Sequence, residues 1–448
     1  MDAGDLIDLD VTAVAHGGVF VGRLPDTAAD APEHGGGRVV FVPDAIPGER
    51  VRVRLTDTSK PSFWRGDVLE VLAASPHRRP HVWRPADVDT PPELRPGGAD
   101  FGHIDLDHQR TLKTEVIRDA LQRIGGVELP VTIEAAHPAR DADGTVLAEE
   151  SADGLGWRTR VSLHVDAEGR VGPYAARSHR VIEVDELPLA TPAIARAALR
   201  RHGGDPGRLD LVQPADGRVR TIPRAEAPAP RGRRRGGPSR VPTDPAARET
   251  IVETVAGRPF QVDAGGFWQV HRLAATTLTD AVGDALDGLV DPAAHHLDLY
   301  GGVGLLAAAI AGLGGAGTRL TSVESDARAT DHAGENLAEW VGARAETGRV
   351  DRWLTELTAS ASAAQRARLS AGVVVLDPPR AGVGREVVDL LAGLHPAHVV
   401  YVACDPVALA RDLRTFQGHG YAARSVRALD LFPHSHHVEA VAVLSPLG

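Results

Sequence analysis

The sequence predicts an α/β protein: a doubly wound domain preceded by a small β-barrel and a mixed α+β central region. Three observations carry that prediction. Residues from about 5 to 75 alternate apolar and polar positions between turn signals, without a helical period. From about residue 268, short apolar runs alternate with helical sequence, the pattern of a Rossmann-like sheet with helices on both faces. Proline- and arginine-rich stretches break the periodicity between them. The boundaries read from these changes are 1–76 for the barrel, 77–250 for the central region and 251–448 for the α/β domain.

In the first region "VFVGRL", "RVVFVPDAIPGERVRVRL" and "WRGDVLEVL" read as strands, with "HGG", "PDAIPGE" and "DTSKPSFW" as turns. A barrel of the oligonucleotide-binding kind exposes aromatic and basic side chains on one face. Phe63, Trp64 and Arg65 are placed either to stack on bases or, as half-buried groups, to pack the barrel wall. The central region opens on the Pro-rich "SPHRRPHVWRPADVDTPPELRPGG", then a helical pattern in "LDHQRTLKTEVIRDALQRIGG" that ends on glycine. Strand-rich sequence follows in "GWRTRVSLHVD" and "GRVGPYAARSHRVIEVDELPL". The stretch 224–248, rich in Pro, Gly and Arg, reads as a loop whose arginines either touch RNA or lie solvated.

The apolar runs of the last region are "HHLDLYGG", "LTSVESD", "GVVVLDPPR" and "HVVYVACD". Ligands of doubly wound sheets bind at the carboxyl ends of the strands, and the chemistry-bearing residues fall there. Asp298 closes one run, and Gly301, Gly302 and Gly304 form a turn that lets a ligand approach the backbone before a helix begins. Glu324 ends the next run, where a carboxylate can accept from ribose hydroxyls. Nucleoside binding follows; a dinucleotide also fits, although the strict G-x-G-x-x-G is absent. Asp377, two prolines and Arg380 end the third run, as a rigid wall for a flat base or as an ordinary strand breaker. Cys404 ends the fourth, either as packing or as a nucleophile on the same rim. Glu439 enters an apolar strand, where a dry carboxyl has a raised pKa and can serve as a base. His434, His436 and His437 invite a metal, but their spacing lacks the helical H-x-x-x-H form, and no metal site is assigned.

Composition sets outer limits. A chain of 448 residues and 43% hydrophobic content buries a large core. Cys404 is the single cysteine, which excludes an intramolecular disulfide, a Cys-rich zinc site and a Cys-ligated iron–sulfur cluster. The net charge of −11 argues against a phosphate-binding coat, yet does not exclude nucleic acid. Only Lys60 and Lys113 are lysines, so the positive charge is nearly all arginine, suited to phosphate and base contacts or simply a trait of genome composition. No signal segment opens the chain and no apolar run reaches about 18 residues, so a soluble, cytoplasmic protein with no membrane partner is expected.

Taken in order, "FWQVH", "LDLYGGVG", "SVESD", "LDPPRAGVG", "YVACDPVALARDL" and "LFPHSHHVEAVAVL" resemble the RNA (uracil-5-)-methyltransferase family. These enzymes make 5-methyluridine from S-adenosylmethionine. The N-terminal strands resemble that family's TRAM domain, and "GWRTRVSLHV" its "YRNK" segment. The resemblance implies a methyltransferase domain in which Gln269, Asp298, Tyr300, Gly301, Gly302, Gly304, Glu324 and Asp377 contact S-adenosylmethionine. Asp377 would lie between cofactor and base, Cys404 would be the nucleophile and Glu439 the base. A helix N-terminus after "CDP" or a nearby arginine would assist the thiol. The target base should be flipped into the pocket.

Departures accompany the likeness. Many relatives carry a four-cysteine iron–sulfur cluster; here the corresponding positions read Pro96, Ala99 and Leu187, and no cluster is expected. His271 stands where asparagine is usual, Gly301 where cysteine is common, and Arg349 where an adenine-contacting aspartate is expected. The implied substrate is RNA, ribosomal by family analogy with transfer RNA as the alternative, and the implied state is a monomer. RNA 5-methylcytosine transfer fits less well, because "DPPR" lacks the cysteine of its "PC" motif. Amino methylation usually shows Asn/Asp-Pro-Pro-Tyr/Phe without a cysteine. A noncatalytic RNA-binding or ribosome-assembly protein on the same fold is the reading from another class.

Overall fold

The computed structural model describes residues 1–24, 37–141, 143–200, 205–225 and 244–447. Strands β1 (Leu6–Ala15), β2 (Val19–Arg23), β3 (Val39–Val42), β4 (Arg50–Asp57) and β5 (Phe63–Ala73) close a barrel in the order β1-β2-β3-β5-β4. Alternation puts Ile7, Leu9 and Val11 of β1, and Val51, Val53 and Leu55 of β4, in its core. Phe101, Ile104 and Leu112, from beyond the barrel, complete that core, with the Phe101 ring 5.7 Å from Phe20. Trp64 packs half-buried on the barrel core beneath the Arg38 guanidinium, 4.6 Å from the ring centre. It therefore serves the barrel wall.

Helix α1 (Leu106–Ala120) begins where the Asp105 side chain accepts from His108 N, and the chain turns out of it at Gly126 in the left-handed region. Strand β6 (Val131–Ala135) follows, then the small hairpin of β7 (Ala139–Arg140) and β8 (Val146–Ala148). Strands β9 (Arg160–Val165), β10 (Val171–Gly172), β11 (Gly207–Val212) and β12 (Arg220–Ala225) form an antiparallel sheet. Helix α2 (Pro192–Leu199) buries Leu163 and Leu211 on one of its faces. Of the stretch 224–248 expected as a loop, Arg224 belongs to β12, 245–248 form a 3-10 turn, and 226–243 lie outside the described residues. Strands β13 (Thr250–Val255) and β14 (Arg258–Asp263) make a hairpin that leads into α3 (Ala274–Leu286).

The remainder alternates: β15 (His295–Leu299), α4 (Leu305–Gly314), β16 (Arg319–Glu324), α5 (Ala327–Asn336), β17 (Ala343–Thr347), α6 (Val350–Ser360) and α7 (Ala363–Ser370). Then come β18 (Val373–Leu376), α8 (Gly384–Leu394), β19 (His398–Ala403), α9 (Pro406–Gly418), β20 (Tyr421–Asp430) and β21 (Glu439–Pro446). The sheet order is β17-β16-β15-β18-β19-β21-β20-β6, and β21 alone runs against the other strands. From β15 the chain moves to β16 on one side and later to β18 on the other. That switch point opens a crevice at the carboxyl ends.

The sheet reaches outside the region assigned to it from sequence. β6 pairs with β20 in register Val131 to Val426, and α1 packs Ile117 and Ala120 into the same core. Five residues of "VTIEA" carry no local sign of a partner nearly 300 positions away. The tie is made rigid by charge. Lys113 Nζ, fully buried on α1, lies 2.6 Å from Asp430 Oδ1 at the end of β20 and also donates to the Phe432 carbonyl. Arg110 reaches Asp430 Oδ2 at 3.1 Å and Glu150 at 2.7 Å. Burial works to raise the Asp430 carboxyl, but Lys113 and Arg110 outweigh it and hold it below the usual carboxylate range. Among the described residues no helix is long and apolar enough to cross a membrane.

Breaking a buried pair strands the surviving charge. Asp430→Asn is expected to lower stability by about 3–5 kcal/mol, read from the urea midpoint at unchanged m-value. A change below about 1 kcal/mol would show that the pair does not hold α1 to the sheet.

Candidate active site

The crevice begins with Asp298, fully buried in β15. Its Oδ2 accepts from the Ser322 hydroxyl at 2.8 Å, Oδ1 is sealed from solvent without a close hydrogen bond among the described residues, and the backbone of Ala307 also favours the charged form. Burial lifts this carboxyl to about 6. Tyr300 then turns the chain at φ 65°, a left-handed conformation that costs an aromatic residue about 1–3 kcal/mol and marks a constrained turn. At Gly301 a Cβ would stand 2.1 Å from Ser322 Oγ and 2.4 Å from Asp298 Oδ2. The hydroxyl of Ser322 thus occupies the space a cysteine would need at that position. Gly302, at φ 53°, donates its N–H to Glu324 Oε2 at 3.2 Å, and Gly304 at φ 87° opens α4. Glu324 Oε1 accepts from Ser325 Oγ and Asp326 N, and Oε2, bonded among the described residues to Gly302 N alone, keeps capacity for a further donor.

Asp377 follows β18, and its carboxyl is pushed up to about 7, first by burial and then by Asp298. Cys404 follows β19. The antiparallel register pairs Ala403 with Ala440, so Glu439, the first residue of β21, comes opposite Cys404. Burial raises Glu439 well above the usual range, reinforced by Asp377 and eased by Arg380. The Cys404 thiol is pushed up to about 12 by burial, Glu439 and Asp377, against a smaller pull from Arg380. Helix α9 does begin beside it, capped by Asp405 Oδ1 on Ala408 N. The helix terminus and arginine expected to assist the thiol are present, and desolvation outweighs them.

The loop from Asp377 to Val383 is held by α9. Asp412 Oδ2 accepts from Val383 N at 2.9 Å and from the Tyr401 hydroxyl at 2.8 Å, and Arg411 donates to the Ala381 carbonyl. The three histidines go separate ways. His434 Nδ1 meets Gln109, His436 Nδ1 lies 2.6 Å from Asp100 Oδ2, and His437 Nε2 faces Arg380 at 3.3 Å. The barrel reaches the site as well: His16 Nε2 is 3.0 Å from Asp405 Oδ2, and Gly18 packs where a Cβ would stand 2.8 Å from His436. A cavity of about 90 Å³ leads to Cys404 between His16, Gly17, Arg380, His436 and His437. Asp100, Asp412 and His16 carried no local signal in the sequence.

Gln269 lies half-buried between β14 and α3, its side chain making no hydrogen bond to a described residue. Its segment is zipped to the "WRT" stretch, with Arg158 bridging His271 and Thr159 N donating to the Val270 carbonyl. His271 is buried and pushed down to about 3 by desolvation; its Nδ1 accepts from Leu273 N, as a capping side chain would. Arg349 is exposed and paired with Asp351 in the first turn of α6 at 2.7 Å. Asp351, which was not among the residues expected from the sequence, is the carboxylate whose field reaches Tyr300. Ala99 and Leu187 sit in an apolar cluster with Trp83, Trp157 and Leu189, and Pro96 bridges Ala175.

The donor set fits S-adenosylmethionine: a buried carboxylate on Asp298, a glycine turn with no room for a side chain at Gly301, and the Glu324 carboxylate held at that turn by Gly302 N. Residues 364–446 match the family model described as tRNA (Uracil-5-)-methyltransferase, and residues 3–69 match the TRAM domain. The chain is 36% identical over 466 residues to an uncharacterized RNA methyltransferase of Streptomyces avermitilis, covering 99% of each. The chain belongs to the RNA (uracil-5-)-methyltransferase family. A second relative of this methyltransferase, from Bifidobacterium longum, is 36% identical over 431 residues, 92% of this chain and 93% of that one. The fold is shared with the crystal structure of Pyrococcus abyssi tRNA (uracil-54, C5)-methyltransferase in complex with S-adenosyl-L-homocysteine, at TM-score 0.64 and 21% identity over 98% of this chain and 100% of that one.

The raised thiol has a direct readout, since Cys404 is the chain's single cysteine. From a usual value of 9 to about 12, the thiolate fraction at pH 7.5 falls by about three decades, and greater thiolate nucleophilicity returns roughly half of that. Iodoacetamide should label the free methyltransferase roughly 30-fold more slowly than an ordinary thiol, with the rate rising about tenfold per pH unit. Labelling as fast as free cysteine would contradict the assigned environment.

Proposed function

We propose that this methyltransferase converts a uridine of ribosomal RNA to 5-methyluridine with S-adenosylmethionine, through a covalent adduct on Cys404. The observation that carries this reading is the register that sets Glu439 opposite Cys404, with Asp377 sharing their field. Asp298, Tyr300, the Gly301–Gly304 turn, Glu324 and Gln269 would hold S-adenosylmethionine, which supplies an electrophilic methyl group on a positively charged sulfonium.

Carbon 5 of uracil is a weak nucleophile. The Cys404 sulfur therefore bonds first to carbon 6, its proton passing to solvent, and the ring electrons move onto the carbonyl oxygen as an enolate. Carbon 5 of that enolate would then accept the methyl group that S-adenosylmethionine, held by the residues named above, would supply, the bond's electrons staying on the leaving sulfur. Glu439 removes the proton from carbon 5, the carbon 6–sulfur bond breaks, and Cys404 returns as a thiolate. Glu439 must be ionised for that role; Arg380 is the protein group that favours its charge, and a cationic ligand bound beside Asp377 would add to it. The matched family model carries transfer RNA in its description, which supports transfer RNA as the second reading.

The test is incubation with labelled S-adenosylmethionine and separate pools of unmodified ribosomal and transfer RNA, followed by mass spectrometry of the nucleosides. Label in 5-methyluridine from the ribosomal pool is expected; label only from the transfer pool would reassign the substrate. No label, with S-adenosylmethionine failing to bind, would favour an assembly factor. Cys404→Ala should cut turnover by at least roughly 10⁴-fold with cofactor binding retained. Glu439→Gln should accumulate a covalent RNA adduct on denaturing gels, because methylation precedes proton loss; product release at the normal rate would assign the base elsewhere.

A further inference from the structure

A second, larger cavity of about 460 Å³ lies between the barrel and the central sheet. It shares Gly17 and His436 with the cavity at Cys404, so the two adjoin. Its volume falls within the range that holds a small-molecule ligand, roughly 300–1,000 Å³. Along it the His164 and Tyr174 rings stack at 3.5 Å and 13°, with His179 edge-on to Tyr174 at 5.3 Å. The Tyr174 hydroxyl makes no hydrogen bond to a described residue.

The charges that line this space are unevenly spent. Asp44 is paired with Arg95, and Asp100 with His436. Arg177 is exposed and reaches Asp67 at 3.4 Å. The Arg158 side chain makes no ion pair or hydrogen bond to a described residue, although the Asp100 carboxylate lies near enough to act on its charge; its Nε is sealed from solvent without a partner, and its guanidinium rests on the Trp157 ring at 5.1 Å. Arg158 lines the cavity, and a guanidinium there without a protein acceptor can take an anion or a carbonyl that enters it.

We propose that this cavity is a nucleotide subsite that takes the base flanking the target uridine, stacked on the Tyr174–His164 pair, with Arg158 receiving the phosphate between the two nucleotides. The proposal rests on the reading that the enzyme modifies a uridine in RNA. An aromatic platform beside an arginine is how single strands are held without reading a base pair, and a flipped target needs its neighbour unstacked as well. The neutral, desolvated His164 ring suits stacking better than a charged one.

The test uses the full chain with fluorescein-labelled AUA, GUG, CUC and UUU trinucleotides, the same trinucleotides abasic at either flank, and uridine monophosphate. Stacking on an aromatic platform predicts a loss of roughly tenfold or more in trinucleotide affinity for Tyr174→Ala and under about twofold for Tyr174→Phe. Uridine monophosphate and S-adenosylhomocysteine should bind Tyr174→Ala as they bind the wild type. Removing one flanking base should cost the wild type the same factor and cost Tyr174→Ala nothing further. Equal losses on trinucleotide and mononucleotide, independent losses from the two changes, or trinucleotides binding no better than the mononucleotide would overturn the subsite. Absence of methyl transfer to any RNA would instead overturn the catalytic reading on which it rests.

Discussion

Asp298 and Glu439 are carboxyl groups taken out of water along one rim of the large sheet, with the half-buried Asp377 between them, and the site is arranged around that desolvation. An isolated buried carboxylate is too costly to persist, so each group shifts upward instead. Each also feels its neighbour: Asp298 lifts Asp377, and Asp377 lifts Glu439. Arg380 is the protein cation that relieves the far end of the row, and among the described residues no cation plays that part for Asp298. A positively charged ligand would gain most where the protein has left charge uncompensated.

Local geometry follows from the same constraint. Ser322 satisfies one oxygen of Asp298 and in doing so fills the space above Gly301, which must then lack a side chain. Tyr300 accepts a strained φ because the strand has to turn there toward α4. Cys404 shows the other side of the balance. A helix terminus and an arginine each favour a thiolate, yet burial beside two carboxyls wins by a wide margin. Its nucleophilic form therefore depends on what the site receives.

Much of this was legible because doubly wound sheets write themselves locally. The runs ending at Asp298, Glu324, Asp377 and Cys404 are each short, apolar and followed by a helix, so their rim could be read without coordinates. What stayed hidden was long-range. Nothing near "VTIEA" announces pairing with Val426, and nothing near Asp100 or His16 announces His436 or Asp405, more than 330 positions away. The opposition of Cys404 and Glu439 was likewise invisible, because it depends on the register of β21 against β19 and a slip of one residue would turn Glu439 to the other face.

The departures from the family pattern are also better understood together than singly. Ala99 and Leu187 stand where many relatives place cluster-binding cysteines, and here they pack with Trp83, Trp157 and Leu189. Trp157 in turn stacks on His271 at 5.3 Å, the residue that replaces the usual asparagine. The imidazole is kept neutral by burial and bonded to Leu273 N, so it can serve as an apolar face for the indole and as a cap for the chain entering α3. One aromatic unit thus joins the segment after the barrel to the loop that carries Gln269. Changing His271 to asparagine alone would leave a buried indole without its stacking partner, while restoring cysteines alone would put thiols into an apolar core. The two departures are parts of one packing solution for the same junction.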